Sequence, residues 1–113
     1  MRPYSIYIAF ISWGGGGKRR PVLVLSEADG FVSVFRITSQ FAGKSPGIQA
    51  HYLEIIDRQQ AGLDKQSYID TGKIVELPIK SIITSNPIGH LSAEDERRLA
   101  HFLGVAQMAF ERT

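Results

Sequence analysis

The stretch Trp13-Gly14-Gly15-Gly16-Gly17-Lys18-Arg19-Arg20-Pro21-Val22-Leu23-Val24-Leu25-Ser26 decides the reading of this chain, because glycines, a cationic cluster and an apolar run follow one another without a break. Four residues without a Cβ lose much conformational entropy when ordered, so Gly14 to Gly17 read as a mobile loop. Pro21 to Leu25, with two valines, has the pattern of a strand buried on both faces. Arg20 is therefore expected where flexible loop meets rigid core, and with Lys18 and Arg19 it reads as a polyanion site. The glycines do not form a nucleotide-phosphate loop. That motif needs Gly-Lys-Ser/Thr opening a helix, whereas Gly17-Lys18 is followed by Arg19, Arg20 and Pro21 opening a strand.

Outward from this stretch, strand and turn signals alternate at short spacing. Tyr4 to Ser12 is aromatic and β-branched, as a first strand should be, and Arg20 to Ser26 is the second. Glu27-Ala28-Asp29-Gly30 is turn material, and Phe31 to Thr38 alternates as a third strand, placing Arg36 and Thr38 on one side where they can share a ligand. A loop with Gly43, Ser45, Pro46 and Gly47 leads to a strand around His51 to Ile56. Turn residues run from Asp57 to Gly62, and short strands are expected at Ser67 to Ile69 and Lys73 to Leu77. Pro78 excludes a long helix ahead of it, and Ile79 to Thr84 has room for one or two turns. The period then changes: Ser92-Ala93-Glu94-Asp95 is a capping-box pattern, and Leu99, Phe102, Leu103, Ala106 and Phe110 recur at helical spacing to about Arg112. The fold class expected is α+β, a small β-barrel carrying a C-terminal amphipathic helix.

Composition sets the outer limits. With 113 residues, 43% of them apolar, the chain suits one compact domain, 1–113. No apolar stretch approaches the roughly 18 to 20 residues of a membrane span, and Met1-Arg2-Pro3-Tyr4 does not open a signal peptide, so a soluble, cytoplasmic protein is expected. The absence of cysteine removes disulfides, thiolate nucleophiles and thiolate metal sites. His51, His90 and His101 are too scattered to suggest a metal site, and no cofactor is expected. The net charge is only +2, but Glu94, Asp95, Glu96 and Glu111 all lie in the last segment, leaving the remainder more basic, as a nucleic-acid partner requires.

With these landmarks in place the chain resembles the MazF/PemK family of toxins from toxin-antitoxin systems, sequence-selective endoribonucleases that cut messenger RNA. The resemblance rests on Arg20-Pro21-Val22-Leu23-Val24-Leu25-Ser26, on Ile37-Thr38-Ser39-Gln40 ending the third strand, and on Gly62-Leu63 followed by Ser67. It continues through Lys73-Ile74 ahead of Ile79-Lys80 to Ile88-Gly89-His90-Leu91-Ser92 opening the final helix, in the family's order. It implies an SH3-like barrel, a homodimer, metal-independent cleavage of single-stranded RNA, and inhibition by a cognate small acidic antitoxin whose tail occupies the RNA groove. Carried onto matching positions, Arg20 is the catalytic cation, Thr38 the hydroxyl on the scissile phosphate and Ser39 a helper. Trp13, Lys18, Arg19, Gln40, Ser67 and Lys73 are candidate RNA contacts, with Trp13 either stacking an unpaired base or anchoring its loop.

RNA can be cut without metal when its own 2′-hydroxyl attacks the neighbouring phosphorus, which needs a proton acceptor and stabilisation of charge on the phosphorane. Arginine supplies the second, since its planar fork binds two phosphate oxygens together. The acceptor stays open: family members often carry a glutamate or histidine in the loop before the arginine, whereas Gly14 to Gly17 offer none, leaving Lys18 or a histidine. Two other readings compete. One is a non-catalytic gyrase poison of the CcdB type, against which stands the charged end Phe110-Glu111-Arg112-Thr113; the other is a degenerate member that binds RNA or antitoxin without cutting.

Overall fold

Why the run Val22-Leu23-Val24 is apolar without alternation becomes plain in the computed structural model, which describes residues 1–111, with side chains described as far as Gly104. All three residues are fully buried, because the sheet they belong to is covered on both faces. Val22 and Val24 pack on one side with Tyr7, Ala9, Val32, Val34 and Leu77. Leu23 packs on the other with Ile6, Phe35, Ile37 and Ile69, under Leu91 and Leu99.

The strands are β1 (Ser5–Trp13), β2 (Gly16–Ala28), β3 (Phe31–Thr38), β4 (Tyr52–Glu54), β5 (Tyr68–Pro78) and β6 (Gly89–His90). They form a six-stranded sheet in the order β4-β5-β3-β2-β1-β6, and every pairing is antiparallel. The sheet curls into a half-barrel whose two edges are the short strands β4 and β6, a length that gives little template for further pairing. A four-residue helix α1 (Pro46–Gln49) precedes β4, a 3-10 turn (Ile79–Ser81) follows β5, and helix α2 (Ala93–Glu111) closes the chain. The α+β half-barrel with a C-terminal helix agrees with the fold class expected. Among the described residues no helix is long and apolar enough to cross a membrane.

Four expectations are corrected. Gly14 to Gly17 are not a mobile loop: β1 and β2 form a hairpin paired out to Trp13 opposite Gly16, so only Gly14 and Gly15 turn, and Gly15 takes a φ of +89° without the Cβ penalty another residue would meet. The other two glycines make room for aromatic rings. A Cβ on Gly17 would stand 2.3 Å from Phe10 Cζ, and one on Gly16 would stand 3.1 Å from Trp13 Nε1. The two short strands expected around Asp70 to Gly72 are one strand, β5. Its pairing with β3 jumps from Val34 opposite Val75 to Arg36 opposite Asp70, so residues 71–74, the turn-like Thr71 and Gly72 among them, bulge opposite Phe35 where the sheet curls. Helix α1 and strand β6 were not expected, and the strand around His51 shrinks to Tyr52–Glu54, leaving His51 exposed and outside it.

The N-terminus of α2 keeps half of the capping box. Ser92 Oγ accepts from the Asp95 backbone N–H at 3.1 Å, but the Asp95 carboxylate turns to the loop after β4, accepting from the Ile56 and Asp57 N–H groups at 3.2 and 2.8 Å. Arg98 donates to the same carboxylate at 2.8 Å and to the Glu54 carbonyl, so the helix is pinned to the sheet edge at its first turn. Of the expected apolar stripe, Leu99 is buried and Leu103 partly exposed; the side chains of Ala106 and Phe110, and Arg112 altogether, lie outside the described residues.

Candidate functional site

Strand geometry places the polar residues. On β2 the side chains of Arg20, Val22 and Val24 point to one face, so Arg20 lies one step beyond a fully buried valine and its backbone is fixed. On β3, Val34, Arg36 and Thr38 share that face. Arg36 stands opposite Asp70 of β5, and Asp70 in turn opposite Tyr52 of β4. The burial of one sheet face thus ends in a polar row running across four strands.

Within the row Arg36 Nη2 donates to Asp70 Oδ2 at 3.2 Å, and Asp70 Oδ1 accepts from the Gly72 N–H at 3.0 Å. Each carboxylate oxygen retains a further lone pair. The Thr38 hydroxyl oxygen accepts from the Gln40 N–H at 3.1 Å, which leaves its own hydrogen free for a ligand. The Arg20 guanidinium makes no side-chain hydrogen bond among the described residues. Burial pushes the Tyr52 phenol above its ordinary value of 10.0; the negative charge of Asp70 adds to this, while Arg36 and Arg20 partly offset it. The phenol therefore stays protonated at neutral pH.

Two adjoining hollows open over these groups. The first, about 260 Å³, is lined by Trp13, Arg20, Arg36, Thr38, Gln40, Lys44, Tyr52 and Asp70, with Ile11 and Ile37 beneath. The second, about 290 Å³, is lined by Lys18, Arg19, Arg20, Thr38, Ser39, Asp64, Lys65 and Ser67. Arg20, Ile37 and Thr38 belong to both, so Arg20 and Thr38 form the wall between them. Of the sequence candidates, Trp13 and Gln40 line the first hollow, and Lys18, Arg19, Ser39 and Ser67 the second. Ser67 is buried and its Oγ donates to the Lys65 carbonyl at 2.8 Å. Lys73 lines neither. The histidines stay away: His51 and His101 border a separate apolar groove with Phe102 and Leu103, and His90 Nδ1 lies 3.3 Å from Gln60 Nε2 and 3.0 Å from the Leu91 carbonyl.

Sequence reasoning missed Asp70, Tyr52, Lys44 and Lys65. Asp70, on β5, places a carboxylate in the first hollow, where Gly14 to Gly17 offer no titratable group. The pairing of Arg36 on β3 with an acid on β5 was the available signal, hidden by the bulge that sets their register. Chemically, three cations, a free hydroxyl and a carboxylate around one hollow suit a phosphate ester and a proton transfer beside it.

No protein-family model matches the chain, and no curated protein matches it. Among solved structures it is similar to the Mycobacterium tuberculosis toxin MazF-mt6, at 27% identity and a TM-score of 0.66, over 93% of this chain and 95% of that one. The chain therefore has a MazF-like toxin fold along nearly its whole length.

Proposed function

We propose that this chain is the toxin of a toxin-antitoxin pair and acts as a metal-independent, sequence-selective endoribonuclease on single-stranded RNA. The observation that carries this reading is the shared wall of Arg20 and Thr38, backed by Arg36 and Asp70, on a fold similar to that of a MazF toxin. Arg20 and the free Thr38 hydroxyl hold the scissile phosphate. Asp70 accepts the proton of the 2′-hydroxyl, whose oxygen attacks phosphorus; the bond from phosphorus to the 5′-oxygen breaks, that oxygen takes a proton from water, a 2′,3′-cyclic phosphate remains, and Asp70 returns its proton to solvent. Arg20 and Arg36 offset the charge that builds on the phosphorane, as preorganised donors do. Ser39 assists Thr38 from the second hollow. A homodimer and an acidic antitoxin competing for the same cationic surface complete the reading.

Purified protein should cut an unstructured RNA in excess EDTA and leave 2′,3′-cyclic ends. Arg20→Ala should lower the rate by about 10²- to 10³-fold, the usual effect of losing one transition-state donor, with an unchanged circular dichroism spectrum. Cutting that EDTA abolishes, or full activity in the variant, would overturn the mechanism.

A further inference from the structure

The first hollow has two aromatic flanks that the phosphate chemistry leaves unused. On the β1 side Trp13 is 55% exposed, and its indole covers the backbone of Gly16. On the β4 side stands Tyr52, beside a shelf in which Phe41 and Tyr68 stack with ring centroids 4.5 Å apart at 12°. The Tyr52 ring lies 6.2 Å from Phe41 and 6.4 Å from Tyr68.

The shelf is braced from behind. Gln49 Nε2 of α1 donates to the Phe41 carbonyl at 2.8 Å, and Gln66 Nε2 bridges the Tyr68 hydroxyl and Glu54 at 3.0 and 2.8 Å. The Tyr68 ring, held at its hydroxyl and stacked on Phe41, loses little freedom when a ligand arrives. At about 260 Å³ the hollow falls just below the roughly 300 to 1,000 Å³ of drug-sized sites, which suits one nucleotide unit.

We propose that this hollow is a base subsite: the unpaired base adjoining the phosphate held by Arg20 and Thr38 lies between Trp13 and Tyr52, and Tyr52 sets the preference for that base. The assignment rests on the RNA-cutting reading. Stacking on the rings gives affinity for any base, while the protonated phenol, a donor and acceptor at once, tells base edges apart.

The test uses a randomised, unstructured RNA pool containing 5-iodouracil and 2′-fluoro sugars, which lacks the attacking hydroxyl, so binding is read without cleavage. Irradiation of the bound pool should give adducts on Trp13 or Tyr52. Tyr52→Leu and Trp13→Leu should each weaken binding by about 5- to 150-fold, the span found on removing a base-stacking aromatic. Tyr52→Phe should hold affinity within about twofold of wild type, since its ring still stacks. In a pooled digest with ordinary RNA, Tyr52→Phe should flatten the preference at one position next to the cut. Binding that is unaffected by either leucine variant, with adducts elsewhere, overturns the subsite and leaves the ribonuclease reading standing. Failure of the wild type to bind any RNA overturns both.

Discussion

Asp95 is 1% exposed, and its carboxylate accepts from two loop N–H groups and from Arg98. Removing it strands buried donors and an unpaired guanidinium, a loss that typically costs about 3 to 5 kcal/mol. Asp95→Ala should therefore lower the urea unfolding free energy by about 3 kcal/mol or more, and a loss below about 1 kcal/mol would mean that the loop rearranges to water. Tyr52 makes a different kind of test. Its phenol is raised above the ordinary value, by burial first and Asp70 second, so the fold favours the neutral form. That contribution is fully present below the unfolded value of about 10 and is lost as pH rises through the folded value. In an ultraviolet titration one tyrosine should ionise later than free tyrosine, and Tyr52→Phe should remove that component. Asp70→Asn should bring it down, and Arg20→Ala should push it further up; opposite movements would separate Tyr52 from the row. Arg20 and Thr38 were legible in the sequence because each borders a strand whose burial is written locally. Asp70 was not, because its meeting with Arg36 depends on the register between strands far apart in the chain.

At the scale of elements, the glycines divide by what a Cβ would touch. On Gly17 it would meet the ring of Phe10, which is 46% exposed and free to swing away. On Gly62 it would stand 2.1 Å from the Ile88 carbonyl oxygen, in a backbone already at φ +76°, where the turn after β4 packs against the approach to β6. Gly17→Ala should stay within about 1 kcal/mol of wild type, whereas Gly62→Ala should lose about 2 to 5 kcal/mol, from left-handed strain plus backbone overlap. Denaturation of the two variants side by side checks this, and equal losses would contradict it. The same division explains what was readable. Long strands with apolar content, and the capped terminal helix, declare themselves by period. The bulge in β5 uses the same residue types as a turn, and α1 and β6 are too short to carry a period, so only tertiary pairing distinguishes them.

For the whole molecule, the proposed ribonuclease reading has a strand of RNA pass from the aromatic hollow to the cationic one, across the wall of Arg20 and Thr38 that the two share. The second hollow brings together Lys18, Arg19 and Lys65 beside Ser39, groups suited to sugar and phosphate rather than to base identity. Each phosphate neutralised on a single strand should steepen the salt dependence of binding by about 0.7 in log K against log salt. Replacing Lys18, Arg19 and Lys65 together by alanine should thus flatten that slope by about 2 and weaken binding alike for every RNA sequence. Tyr52→Leu should leave the slope unchanged while lowering affinity. Titration of fluorescent RNA at several salt concentrations measures both variants. If the triple variant kept its slope and Tyr52→Leu lost it, the backbone would run through the aromatic hollow and the two halves of the site would have to exchange roles.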